Sequence, residues 1–432
     1  MSKGVATIGI VFTAVLLGTT SAALARGEAE RSLIKRFAQD YCSGPLLRPP
    51  QAGARLLDKH QFRTPPARRG GRPGQGRKAV WDIGDDRQLH LTRLRMPRGP
   101  LTFVDLFTGA GDALPSLRGV VSGNCRIVGG REIVYGSGPQ PLHIKHLDRN
   151  LQPTGKRLAV NEPTPRGEAR SCVKVGVLDN GVNYTLPELR RKMAFDSQGK
   201  MLGLDVWEND NRPFDYGYNA KAHNPMRSAF NPNRHGTMVA SVVAQYGSEN
   251  TCLVPVRYPP FDRGDAVSRA IAYFAKNDVR IVTVQSGRTA PWPQFEQAMK
   301  DNPQILFVVA SGNNGVALER RPFYPASYNL PNMLVVKGLD GTGKRWRRSN
   351  QKVKGNVVAV QATDVPVTLY NGQRRKLSGT SFAAPKIAGF AAKLMGEERI
   401  TGSALLQRVL AASDGQNNPF LSEAILGRKD RR

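Results

Sequence analysis

Near-continuous apolar runs in the second half of the chain constrain its fold more tightly than anything else in the sequence: VKVGVLD (173–179), LVPVRY (253–258), IVTVQSG (281–287), ILFVVASG (305–312) and MLVVKGL (333–339). A strand with one wet face alternates polar and apolar residues, so runs without alternation read as strands buried on both faces, the habit of parallel sheets. Helical patterns lie between several of them, as where Ala266, Val267, Ala270, Ile271, Phe274 and Ala275 recur at three-and-four spacing. Strand alternating with helix predicts an α/β domain with a mostly parallel sheet and helices on both faces. Polar residues just past the carboxyl ends of such strands are where a site collects.

Upstream of residue 170 the rhythm differs. Lys3, the apolar stretch Val5–Leu17 and Ala23-Leu24-Ala25 read as a secretory signal peptide over residues 1–25. The apolar stretch is shorter than the roughly 20 residues that a membrane span needs, and no later segment is long and apolar enough. The expected product is a soluble, secreted or periplasmic protein with no membrane span. Residues 26 to about 62 look partly helical, and Thr64–Lys78 (TPPARRGGRPGQGRK) reads as a flexible linker. The short runs LHLTRLR, LTFVDLF, CRIVGGREIVY and PLHIKHL mark a β-rich stretch over 80–150. NEPTPRGEAR (161–170) reads as a boundary, so a smaller β-rich N-terminal region (26–165) precedes the α/β domain (170–432).

The 63 Lys and Arg against 34 Asp and Glu give a net charge of +29, which attracts anionic surfaces in a salt-sensitive, non-specific way. The basic residues are spread along the chain and no aromatic-rich nucleic-acid motif accompanies them, so a solvated basic surface is expected and no specific nucleic acid. Cys42, Cys125, Cys172 and Cys252 are an even set in an oxidising compartment; two disulfides are permitted and three pairings are open. None of the four has the Cys/His spacing of a zinc site.

Three polar residues stand where chemistry is favoured. Asp179 ends VKVGVLD; Asp-Asn-Gly is also an ordinary turn, yet a carboxylate at the end of a buried strand is well held and can orient a histidine. His235 opens the apolar helix GTMVASVVA, where a cap or core histidine would look the same, but its imidazole is the natural proton carrier near neutral pH. Ser381 lies where LSGTSFAAPKIAGFAAKL turns into a helix. It could be only a cap. Its small neighbours Gly379, Thr380, Ala383 and Ala384 would nevertheless admit a substrate backbone, and the helix dipole favours an oxyanion near its amide.

DNGV at 179, HGTMVA at 235 and GTSFAAP at 379 resemble, in chain order, the aspartate, histidine and serine signatures of the subtilisin-like serine peptidases. ASGNNG resembles that family's oxyanion segment, and GLDVWENDNRPFD the loop before its histidine; the resemblance covers about 170 to 415. Asn180 stands where Ser or Thr is commoner, Met238 and Ser241 replace the usual His and Gly, and GNVVAVQATDV lacks the usual Ala-Pro-Gly. The resemblance implies a serine endopeptidase acting on protein or peptide substrates through an acyl-enzyme. Asp179, His235 and Ser381 would be its triad, Asn313 and the Ser381 amide its oxyanion donors, and Ser286, Gly287, Ala310, Ser311 and Gly312 its substrate-binding walls.

No cofactor is implied; Asn209, Asp210, Asn211 and Asp215 offer oxygens for calcium, but we read them as a polar turn. In the resembling fold the strands opened by Cys172 and Cys252 are neighbours, which implies that pair and leaves Cys42 with Cys125. The family's inhibitory prosegments imply such a role for residues 26–165, with a permanent accessory domain as the alternative. Two other readings use the same residues: an inactive peptide-binding relative, against which the intact triad argues, and a secreted polyanion-binding protein. Fluorophosphonate separates them from the enzyme, since only an activated serine reacts.

Overall fold

The computed structural model describes residues 27–64, 74–96, 99–110, 113–136, 138–217, 225, 228–259 and 265–413. The expected signal peptide, 1–25, lies outside them. The chain divides into two compact units: Met1–Ala159 with Ala220–Asn231, and Val160–Asn219 with Pro232–Arg432.

Unit 1 opens with helix α1 (27–40). An antiparallel meander follows: β1 (Arg55–Thr64), β2 (Gly74–Asp82), β3 (Arg87–Leu94), β4 (Leu101–Thr108), β5 (Leu114–Ser122), β6 (Ile127–Tyr135), β7 (Pro141–Leu147) and β8 (Pro153–Ala159), each paired with the next. Ile34, Phe37 and Ala38 share a stripe of α1 and bury against Ala79, Trp81, Leu89, Leu91, Val104 and Leu106. Those strand residues alternate along their strands, which places them on one sheet face. Cys42, just past α1, bonds to Cys125 in the β5–β6 turn.

Of the segment Thr64–Lys78, expected as a linker, the described residues Thr64 and 74–78 are paired strand: Thr64 pairs with Gly74 and Gln61 with Arg77. The other nine residues, 65–73, lie outside the described residues. The composition misled at 74–78 because this part of β2 is held by backbone pairing to β1 and β3, which side-chain composition does not report.

Unit 2 holds the parallel sheet, in the order β10-β11-β9-β12-β13-β14-β15. These are β9 (Val173–Asp179), β10 (Leu204–Asp205), β11 (Thr251–Arg257), β12 (Ile281–Val284), β13 (Leu306–Ala310), β14 (Met333–Leu339) and β15 (Val357–Gln361). Every neighbouring pair is parallel, and most residues of β11 to β14 are buried, as unbroken apolar runs require. Because β9 has β11 on one side and β12 on the other, the order reverses there, and a cleft opens at the carboxyl end of such a strand.

Helices α3 (Gly236–Tyr246), α4 (Ala266–Lys276), α5 (Pro293–Lys300), α6 (Thr380–Glu398) and α7 (Gly402–Ser413) flank the sheet, with the short α2 (Pro187–Arg190) and the hairpin β16 (Val365–Thr368)–β17 (Arg374–Leu377). Helix α6 is apolar almost all round and buries Phe382, Ala383, Ala384, Ile387 and Ala388. It approaches α3 so closely that a Cβ on Gly389 would fall 2.7 Å from Val243 O. Cys172 bonds to Cys252, whose register partner on β9 is Lys174, so the bridge ties the amino ends of adjacent strands.

Candidate active site

Strand β9 delivers Asp179 at its carboxyl end, 3% exposed. His235 stands at the head of α3, and its Nδ1 lies 2.8 Å from Asp179 Oδ2 and 3.0 Å from Oδ1. That carboxylate also accepts the Asn180 amide at 2.8 Å. A proton on Nδ1 is thereby fixed toward the carboxylate, which makes Nε2, on the opposite edge of a one-quarter-exposed ring, the basic nitrogen of that tautomer.

The neighbouring Asn180, which the sequence marks only as a departure from the family, has a definite task. Its Oδ1 accepts from the Gly236 amide at 2.9 Å and the His235 amide at 3.3 Å, and its Nδ2 donates to Asn233 O at 3.1 Å. It caps α3 from a different strand end, satisfying amides that a helix start leaves orphaned. Gly236 has no alternative: a Cβ there would fall 2.0 Å from Gly181 O. One residue on, Thr237 donates its amide (3.0 Å) and its hydroxyl to Asp215 Oδ2. Burial pushes the Asp215 carboxyl up to about 7, opposed by Arg234 and the Thr237 hydrogen bonds.

Ser381 is the second residue of α6, and the ring of Phe382, next in sequence, lies 5.9 Å from that of His235, centroid to centroid. Asn313 is held from the same helix start: the Thr380 amide and hydroxyl both donate to Asn313 Oδ1 at 2.9 Å. With Oδ1 engaged by two donors, the Nδ2 group must face the other way, and a Cβ on Gly379 would lie 3.7 Å from it. Thr380, fully buried, also accepts the Gly312 amide at 3.2 Å. Pro385 has no N–H to give Ser381 O four residues back, so that helical hydrogen bond is missing.

Asn350 secures the loop that carries Asn313. Its Nδ2 donates to Ser311 O at 2.8 Å, and its Oδ1 accepts from Asn314 and Val316 amides at 3.1 and 3.2 Å. Gly312 takes φ +97°, and a Cβ there would meet Asn350 Nδ2 at 2.5 Å. In the sequence Thr380 reads only as a small neighbour of Ser381, and nothing local marks Asn350 as the residue that holds 311–316.

The five expected wall residues differ in what they expose. Ala310 and Ser311 are buried, with Ser311 Oγ 3.3 Å from Ser349 Oγ, so their side chains face inward. Ser286 is hydrogen-bonded to Tyr258, and Gly287 lies where a Cβ would meet the Phe323 ring at 2.5 Å. The acidic turn is dispersed: Asn209 accepts from Arg269, Asp210 from the Arg212 amide, and Asp215 from Thr237.

Fold and site together define an α/β protein with a carboxylate–imidazole pair at the carboxyl end of a parallel strand and the start of α6 beside it. It belongs to the subtilase family, whose model matches residues 170–423, more than half of the chain. A thermophilic serine proteinase of Bacillus sp. (strain AK1) is 28% identical over 58% of this chain and 55% of its own length. The major intracellular serine protease of Bacillus subtilis (strain 168) is 26% identical over 66% of this chain and 85% of its own. The chain thus spans little more than half of the first relative. A solved cold adapted subtilisin-like serine proteinase matches at 21% identity and a TM-score of 0.46, covering 60% of this chain and 90% of the other.

Proposed function

We propose that this chain is a secreted serine endopeptidase that hydrolyses protein and peptide substrates through an acyl-enzyme. The observation that carries the reading is the Asp179–His235 pair, 2.8 Å apart at the end of β9. Ser381 Oγ attacks the scissile carbonyl as His235 Nε2 takes its proton, and Asp179 holds the tautomer and stabilises the imidazolium. Charge builds on the carbonyl oxygen, and the Asn313 Nδ2 group and the Ser381 amide at the head of α6 donate to it. His235 returns the proton to the departing amine, and water repeats the sequence on the ester. Side-chain preference would be set around Ser286, Gly287 and the backbone of 310–312.

The proposed place of work is outside the cytoplasm. The two disulfides are compatible with it. Among the described residues no helix is long and apolar enough to cross a membrane. Incubation with a fluorophosphonate followed by peptide mapping tests the reading, with label expected on Ser381. An unlabelled wild type that also leaves denatured protein intact would favour the inactive peptide-binding relative.

A further inference from the structure

Three stretches of unit 2 meet beside the Asp179–His235 pair: the loop 179–183 that leaves β9, the segment 213–216, and the head of α3. Backbone bonds lay the second along the first, Val182 N donating to Pro213 O at 2.9 Å and Tyr216 N to Asn180 O at 3.2 Å. Thr237, fully buried and two residues past His235, ties α3 to both. Its amide and its hydroxyl donate to Asp215 Oδ2, and the same hydroxyl oxygen accepts the Asn183 amide at 2.9 Å. A hydroxyl has one proton to give, so with that proton directed to Asp215 its oxygen is turned toward Asn183. Asp215 is itself 0% exposed, and its other oxygen, Oδ1, is buried with no hydrogen-bond partner among the described residues.

An apolar side chain at 215 would leave the buried amide and hydroxyl of Thr237 without that acceptor. Both donors converge on Oδ2, so they fit the ionised group; a proton on Asp215 would have to sit on Oδ1, where no acceptor meets it. Arg234, one residue before His235, favours the ionised form, and its guanidinium lies over the Tyr370 and Tyr216 rings at 4.0 and 5.6 Å. The other titratable groups that face Asp215 are Asp179 and, in the β16–β17 turn, Tyr370. We propose that Asp215 is a positioning residue for the reaction: through Thr237 it locks the head of α3 to the 179–183 loop and so holds His235 in line with Asp179. The kinetic arm of the test rests on the peptidase reading above; the spectroscopic arm does not.

Thr237→Val keeps the shape and removes the hydroxyl. It should lower kcat on a denatured protein about tenfold with KM nearly unchanged, as a slight misplacement of a catalytic group does, and Thr237→Ser should restore the rate. Asp215→Leu should behave as Thr237→Val, and Asp215→Asn, which keeps an acceptor, should recover most of the loss. Proton NMR reads the same tie without turnover. The Nδ1 proton that His235 shares with Asp179 should give a downfield resonance that moves in Thr237→Val and returns in Thr237→Ser. Ionised Asp215 adds a negative charge that favours the imidazolium, so His235 should titrate at lower pH in Asp215→Asn than in the wild type, and the acid limb of fluorophosphonate labelling should move down with it. Thr237→Val and Asp215→Asn proteins that unfold at lower urea yet keep the wild-type kcat, acid limb and His235 resonance would make Asp215 a stability residue only and overturn the proposal. Should Asp215→Leu fail to fold, the two Thr237 variants decide it. If no form is labelled or cleaves protein, the peptidase reading fails, while the His235 resonance still decides the tie.

Discussion

Ser381→Ala should abolish hydrolysis of a denatured protein, whereas Asn313→Ala should keep a weak rate, because the Ser381 amide still donates to the oxyanion. The expected losses are about 10⁶ in kcat for the nucleophile and about 10²–10³ for the single donor. His235→Ala should match the serine variant, and a Ser381→Ala protein with wild-type turnover would remove Ser381 from the chemistry. A second residue-scale test concerns Asp215, whose carboxyl is raised from 3.8 to about 7 by burial. Between those values the folded state binds more protons than the unfolded one, so this group's contribution makes stability fall as pH rises from about 4 to 7. Asp215→Asn, which keeps an acceptor for Thr237, should flatten that slope in urea melts; an unchanged slope would show that Asp215 does not titrate there. The triad candidates were legible because each ends or opens an apolar run. Thr380, Asn180 and Asn350 were not, since nothing local to Thr380 announces that its partner, Asn313, is 67 residues away.

At the scale of elements, β9 and β14 occupy the ranges their apolar runs mark, and α4 follows its three-and-four spacing. Strands with little apolar content escaped: β10 is two residues long, and β17 is RRKL. Such strands are held by backbone pairing, and side-chain pattern does not report it. The Cys172–Cys252 bridge closes a separation of 80 residues between adjacent strands. Replacing both cysteines by serine should lower the unfolding free energy by about 2–4 kcal/mol, through the unfolded chain's recovered freedom. Chemical denaturation of the two proteins measures it, and equal midpoints would show that the bridge adds nothing. Gly236→Ala drives a methyl into Gly181 O and should displace α3 with its histidine, costing about 1–3 kcal/mol and slowing fluorophosphonate labelling.

For the whole molecule, the charge of +29 predicts retention on an anionic matrix that weakens steeply with salt. In unit 1 a cavity of about 690 Å³ is lined by Lys59, Arg77, Lys78, Arg93 and Arg95 and by no carboxylate. Arg77→Glu should therefore elute at lower salt than the wild type, and salt-independent retention would refute an electrostatic cause. By itself the sequence determined the parallel α/β class, the even cysteine set and the three residues on which the chemistry is proposed to turn. These follow from apolar periodicity and local motif, which are properties of neighbours along the chain. The tertiary structure alone decided that β9 lies where the strand order reverses, that Thr380 holds Asn313, and that Phe230 packs on Phe107 and Arg118 of the N-terminal sheet. Each joins segments far apart in sequence, and such meetings are selected by packing and hydrogen-bond satisfaction over the whole chain.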